Sequence, residues 1–168
     1  MQLQAEEPLS FDDLAENDAF MDAVVTATRA AHAIHHEEKL TALRNGVLNT
    51  LVPSAPTVDE QARFFRLIDE MTAAHLKMLE FFADPTVWFE ARGLDKGNIY
   101  MGGQAHILEQ GIPEFAGRRE WYDLLAADLT RLQLSNPALH VVMTESGIWS
   151  GRNTAMGNRF LRFVSDPR

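Results

Sequence analysis

His32 and His36 stand four residues apart in the stretch Ala30-Ala31-His32-Ala33-Ile34-His35-His36-Glu37-Glu38. On one continuous helix that spacing puts both imidazoles on the same face, the arrangement of paired histidine ligands, and Glu37 or Glu38 adds a carboxylate. His75 on another helix, or His106 with Glu109, would complete a metal site in a bundle resembling the di-iron carboxylate proteins. The Glu-x-x-His spacing that those proteins repeat is missing here. The favoured expectation is therefore a solvated polar band with no bound metal or cofactor, and His75 as a hydrogen-bonded core histidine.

Other chemistries are weaker still. Ser146, Ser150 and His140 lie close in sequence, but nothing around them forms a nucleophile elbow. Gly102-Gly103 precedes a helix without the lysine of a phosphate loop, so turn glycines are the simpler account. The chain has no cysteine, which excludes disulfides, thiol catalysis and cysteine-ligated metal centres. Trp88, Trp121 and Trp149 read as core anchors. No catalytic residue is assigned.

Charge bears on nucleic acid. Of the net −9, all is carried by residues 1–93, with 7 Lys/Arg against 16 Asp/Glu, whereas residues 94–168 balance at 8 and 8. An acidic first half repels phosphate backbones and anionic lipid headgroups. In the second half Arg118 and Arg119 open a helix and Arg152 follows a turn, with Arg159 and Arg162 beyond, all able to meet DNA. Glu114, Glu120, Asp123 and Asp128 on or beside that helix oppose such contact.

The elements that must position these side chains follow from periodicity and caps. At 168 residues the chain suffices for one compact domain with an appended helical arm. No apolar run approaches a membrane span, and Met1 to Glu7 are polar and acidic rather than a basic, then greasy, leader. A cytoplasmic setting is expected. After a short turn capped by Ser10, a long helix runs from Asn17 or Asp18 to about Thr50. Its first half shows the apolar stripe Phe20, Val24, Ala27, Ala31 and Ile34, its second half Leu40, Leu43, Val47 and Leu51. At about 100° per residue the two stripes point roughly 170° apart. One rod would thus dock its second half on the following domain and its first half on something else, a partner chain or residues outside this sequence. Gly46 marks either a close helix approach or an early end.

Pro53-Ser54-Ala55-Pro56 breaks the chain, and Thr57 with Glu60 forms a capping box for the next helix. The arm is thereby residues 1–52 and the domain residues 57–168. Within the domain the expected order is a helix through Met71, helices over 73–83 and 85–92, a short strand at 99–101, and helices over 104–110 and 118–132. A hairpin over 139–150 and a last helical turn or two after Thr154 follow.

That second-half order, closing on Leu132-Gln133-Leu134 and Thr154-Ala155-Met156-Gly157-Asn158-Arg159-Phe160-Leu161, resembles a winged-helix domain. The resemblance implies that 118–132 is a recognition helix and that the loop from Glu145 to Arg152 is a wing. The string Glu37-Glu38-Lys39-Leu40-Thr41-Ala42-Leu43-Arg44-Asn45-Gly46-Val47-Leu48-Asn49 is similar to a segment of poorly characterised bacterial proteins, some grouped with the abortive-infection alpha type. In that group further sequence precedes this point. It implies a role in stress or phage defence and brings no set of catalytic residues.

The expectation is a mainly α protein, a long N-terminal helix on a winged-helix-like domain with one small β-hairpin. Its function is expected to be that of a non-catalytic interaction or regulatory module, joining a second copy or a partner protein through Phe20, Val24, Ala27, Ala31 and Ile34. The alternatives are a winged-helix DNA-binding regulator using Arg118, Arg119 and Arg152, and a metal-binding helical protein using His32, His36 and His75.

Overall fold

The computed structural model describes residues 11–32, 34 and 36–167, so the cap expected at Ser10 lies outside the described residues. The chain is mainly helical and forms two compact units, Met1–Glu70 with Phe163–Arg168, and Met71–Arg162.

The first unit holds α1 (Phe11–Ala15), α2 (Asp18–Ala31), α3 (Glu37–Leu48) and α4 (Val58–Glu70). The single rod is thus two helices. Asn17 caps α2, its side chain accepting from the Phe20 N–H at 3.1 Å. After Ala31 the chain leaves the helix, and His36 is extended at φ −98°, ψ 122°, a conformation no helix contains. Glu37 and Glu38 then open α3 at the positive end of its dipole. Ile34, between the helices, turns inward and is buried.

Division of the rod removes the reversal of faces, because each half takes its own rotation. On α2, Ala23 and Ala27 are buried, while Phe20, Val24 and Ala31 are half-buried, against α3 and α4 of the same unit. On α3 the inward row is Lys39, Ala42, Leu43, Gly46 and Asn49, spaced as one helical face, and Leu40 is exposed. Of the expected row, Leu43 is buried and Val47 and Leu51 are half-buried, but Leu40 gives way because the inward face is partly polar. Each buried polar group has its partner. Lys39 Nζ donates to the Asp69 carbonyl at 2.9 Å. Burial pushes the Lys39 ammonium below its ordinary range, and the Asp69 carboxylate opposes that shift. Asn45 Nδ2 donates to the Val164 carbonyl at 3.0 Å, and Asn49 Nδ2 to those of Phe163 and Ser165 at 2.8 and 2.7 Å.

Those acceptors end α10 (Ala155–Val164), whose last two residues belong to this unit. A helix end leaves carbonyls without intrahelical partners, and α3 supplies amides for them. The Phe163 ring lies 5.2 Å from that of Phe64 and 5.3 Å from that of Phe65. Gly46 is a close approach: a methyl there would come within 2.9 Å of Phe163 and 3.2 Å of Phe65.

The second unit contains α5 (Ala73–Ala83), α6 (Pro85–Ala91), β1 (Met101–Gly102), α7 (Gln104–Gly111), a 3-10 turn (Pro113–Phe115), α8 (Arg119–Arg131), β2 (Met143–Thr144), α9 (Glu145–Ile148) and the body of α10. Helix positions match the periodicity, though α10 is a full ten residues rather than a turn or two. The Asp84 carboxylate accepts from the N–H groups of Thr86 and Val87, with Pro85 at the first helical position of α6. The core is aromatic: Phe81 meets Phe82 at 5.0 Å and Trp88 at 5.9 Å, and Phe89 meets Trp149 edge to face at 4.9 Å. Trp88 Nε1 donates to the Gly111 carbonyl at 2.9 Å.

The expected hairpin does not form. Met143 and Thr144 pair with Gly102 and Met101 in an antiparallel two-stranded ribbon, and the residues read as a hairpin turn coil into α9. Trp149 packs on Phe89 rather than returning as a strand, and Arg152 Nη2 donates to the Gly147 carbonyl at 2.8 Å, holding the turn closed. Gln104, fully buried, ties this region together. Its Nε2 donates to the carbonyls of Ile148 and Ser150, both at 3.0 Å, and its Oε1 accepts from the Ala138 N–H and from Arg152 Nε.

Candidate functional site

The histidine cluster does not assemble. His32 closes α2 and His36 precedes α3, so the four-residue spacing crosses a break and no longer describes one helix face; both are exposed. His75 lies in the second unit with both ring nitrogens engaged. Its Nδ1 accepts from the Thr72 N–H at 3.1 Å and its Nε2 lies 3.4 Å from Asp128 Oδ2. That makes His75 the third helical residue of a capping box at the start of α5. Glu109 accepts from the Tyr122 hydroxyl at 2.8 Å, and His106 lies 3.2 Å from Gln110. Burial and the neighbouring Glu109 push the Tyr122 phenol up to about 12. Among the described residues no three His, Asp or Glu side chains gather as a ligand set.

The three arginines have different surroundings. Arg118 is exposed just before α8, its guanidinium 5.6 Å from the Trp121 ring centre. Arg119 pairs with Asp123 at 3.5 Å one turn on. Arg152 is half-buried, its guanidinium bonded to Gln104, Gly147 and Met143. That side chain holds the fold around Gln104 and does not reach outward from a wing.

The stripe Phe20, Val24, Ala27, Ala31 and Ile34 faces its own unit, as described above. The opposite side of α2 is the notable surface. Met21 and Val25 stay 42% and 44% exposed, and Val58 at the start of α4 is 62% exposed. Between α2 and α4 runs a trench of two hollows, of about 390 and 400 Å³, both lined by Thr26, Arg29 and Phe65. Asp22 lines one hollow; Arg66 and Asp69 line the other. Asp22 and Arg29 make no ion pair among the described residues, and Asp18 stands one turn before Asp22 on the same outer face.

In the second unit large apolar side chains remain outside at the ribbon, where Tyr100, Met101, Val141 and Val142 are 59–75% exposed. Neither group of exposed apolar residues follows from periodicity, which marks what a helix hides and is silent on scattered apolar residues left on the polar side. Compared with protein-family models, curated proteins and solved structures, the chain matches none.

Proposed function

We propose that this chain is a non-catalytic interaction module that self-associates through the outer face of α2. One observation carries the proposal: Val25 on α2 and Val58 on α4, both exposed, line a trench whose floor includes the buried ring of Phe65. Exposed single apolar residues are ordinary, but apolar side chains flanking a groove of ligand-site size are a docking feature. Covering such side chains contributes about 25 cal/mol per Å² of apolar surface removed from water. The trench has the form that receives a helix laid lengthwise.

Light scattering across a concentration series tests this. The expected result is a mass that rises above the 18.9 kDa of one chain as concentration increases, and that Val25→Asp returns to the monomer with far-UV circular dichroism unchanged. A mass that stays monomeric at every concentration, with Val25→Asp changing nothing, removes the proposal.

A further inference from the structure

We infer that two copies pair antiparallel along α2, about a two-fold axis passing between Val25 and Thr26, with Asp22 of each copy against Arg29 of the other. The inference rests on the self-association proposed above and specifies its arrangement.

Asp22, Val25 and Arg29 are spaced three and four residues apart, the spacing of a seam along which one helix meets another. All three are exposed and line the same hollow, and at about 100° per residue they fall on one side of α2. The face is acidic at its start, where Asp18 and Asp22 stand, and basic in its last turn, where Arg29 stands. A two-fold contact is isologous: whatever residue i meets, residue j of the other copy meets in return. Set antiparallel, the midpoint of residues 22 and 29 falls between 25 and 26. Each Asp22 then faces an Arg29, twice over, and Val25 of each copy faces Thr26 of the other beside the axis. Set parallel, Asp22 would face Asp22 and Arg29 would face Arg29, like charges at both ends. Neither group has an ion pair within the described residues to be broken first. Charge complementarity therefore selects a second copy of the chain in one orientation.

Sedimentation equilibrium of the full chain at low salt, with Asp22→Arg, Arg29→Asp and an equimolar mixture of the two, tests the arrangement. Each single variant turns two attractive contacts into two repulsive ones, so each alone is expected to self-associate about tenfold or more weakly than the parent chain. The mixture is expected to recover association, because an arginine at 22 and 29 of one copy then faces aspartates at 29 and 22 of the other. Circular dichroism should be the same for all, since both positions are exposed. Association that Val25→Asp abolishes but both charge variants leave intact, or a mixture that does not recover, overturns the antiparallel pairing while the self-association stands. A parent chain that is monomeric throughout overturns both.

Discussion

Helix α2 of the first unit is held differently from the helices of the second. In the second, Phe81, Phe82, Phe89 and Phe160 have no exposed surface, and the polar hub Gln104 is fully enclosed with all its amide groups bonded. In the first, α2 presents Ala23 and Ala27 as its only buried residues, side chains of one methyl each. An aromatic ring removes far more apolar surface from water than a methyl does. The larger apolar side chains of α2 are covered only in part, as Phe20 and Val24 are, or stand in solvent, as Met21 and Val25 do. An element that is lightly held in its own unit is the one equipped to take a second contact.

The difference can be broken from the heavy side first. Phe81→Ala should cost about 3–5 kcal/mol, the usual range for emptying a buried aromatic site. Trp88, Trp121 and Trp149 all lie in the second unit, so urea unfolding followed by tryptophan fluorescence reads the loss there. A cost below about 1 kcal/mol would mean that the surrounding rings collapse into the space and that the aromatic core is not what holds this unit.

The next effect is read in pH. Tyr122, whose phenol is pushed up to about 12, keeps its proton more tightly when folded than when unfolded, where it titrates near 10. That preference contributes stability fully present below the unfolded value and lost as pH rises through the folded one. Between the two, each pH unit should remove about 1.4 kcal/mol from the parent chain relative to Tyr122→Phe. Denaturant midpoints of the pair at successive alkaline pH values measure this difference, free of the lysines common to both. Parallel curves would mean that the hydroxyl is not shielded by burial beside Glu109.

How far the sequence discloses this architecture depends on which residues face inward. The helices α4, α5 and α8 are legible because their inner rows are apolar: Phe64, Phe65 and Ile68; Leu76, Leu79 and Phe82; Leu125 and Leu129. The row of α3 is not, since Lys39, Asn45 and Asn49 point inward toward carbonyls that lie thirty or more residues away in the chain. A hydrophobic pattern assigns such residues to solvent. The hairpin fails for a similar reason. The bonds of Gln104 with Ile148 and Arg152, 44 and 48 residues away in the chain, decide the path of 143–152, and local turn chemistry knows nothing of them. The break between α2 and α3 erases both the histidine pair and the reversed stripe, because both were consequences of assuming one uninterrupted helix. The outer face of α2 is visible only once its inner face is known.

The smallest effect tests the light side of the comparison. Ala27 is 8% exposed on the inner face of α2, and Ala27→Gly removes one methyl and loosens the unfolded backbone, together about 1 kcal/mol. Thermal unfolding followed by far-UV circular dichroism should show a loss of that size and no more. Self-association should keep its affinity once the folded fraction is accounted for, because the methyl faces α3 and α4 rather than the proposed seam. A loss of 3 kcal/mol would place Ala27 in a tightly interlocked contact, and α2 would then be as firmly held as the aromatic helices. The reason for assigning it the second contact would go with it, since leftover apolar side chains on a rigidly packed helix are no different from those scattered over any protein surface.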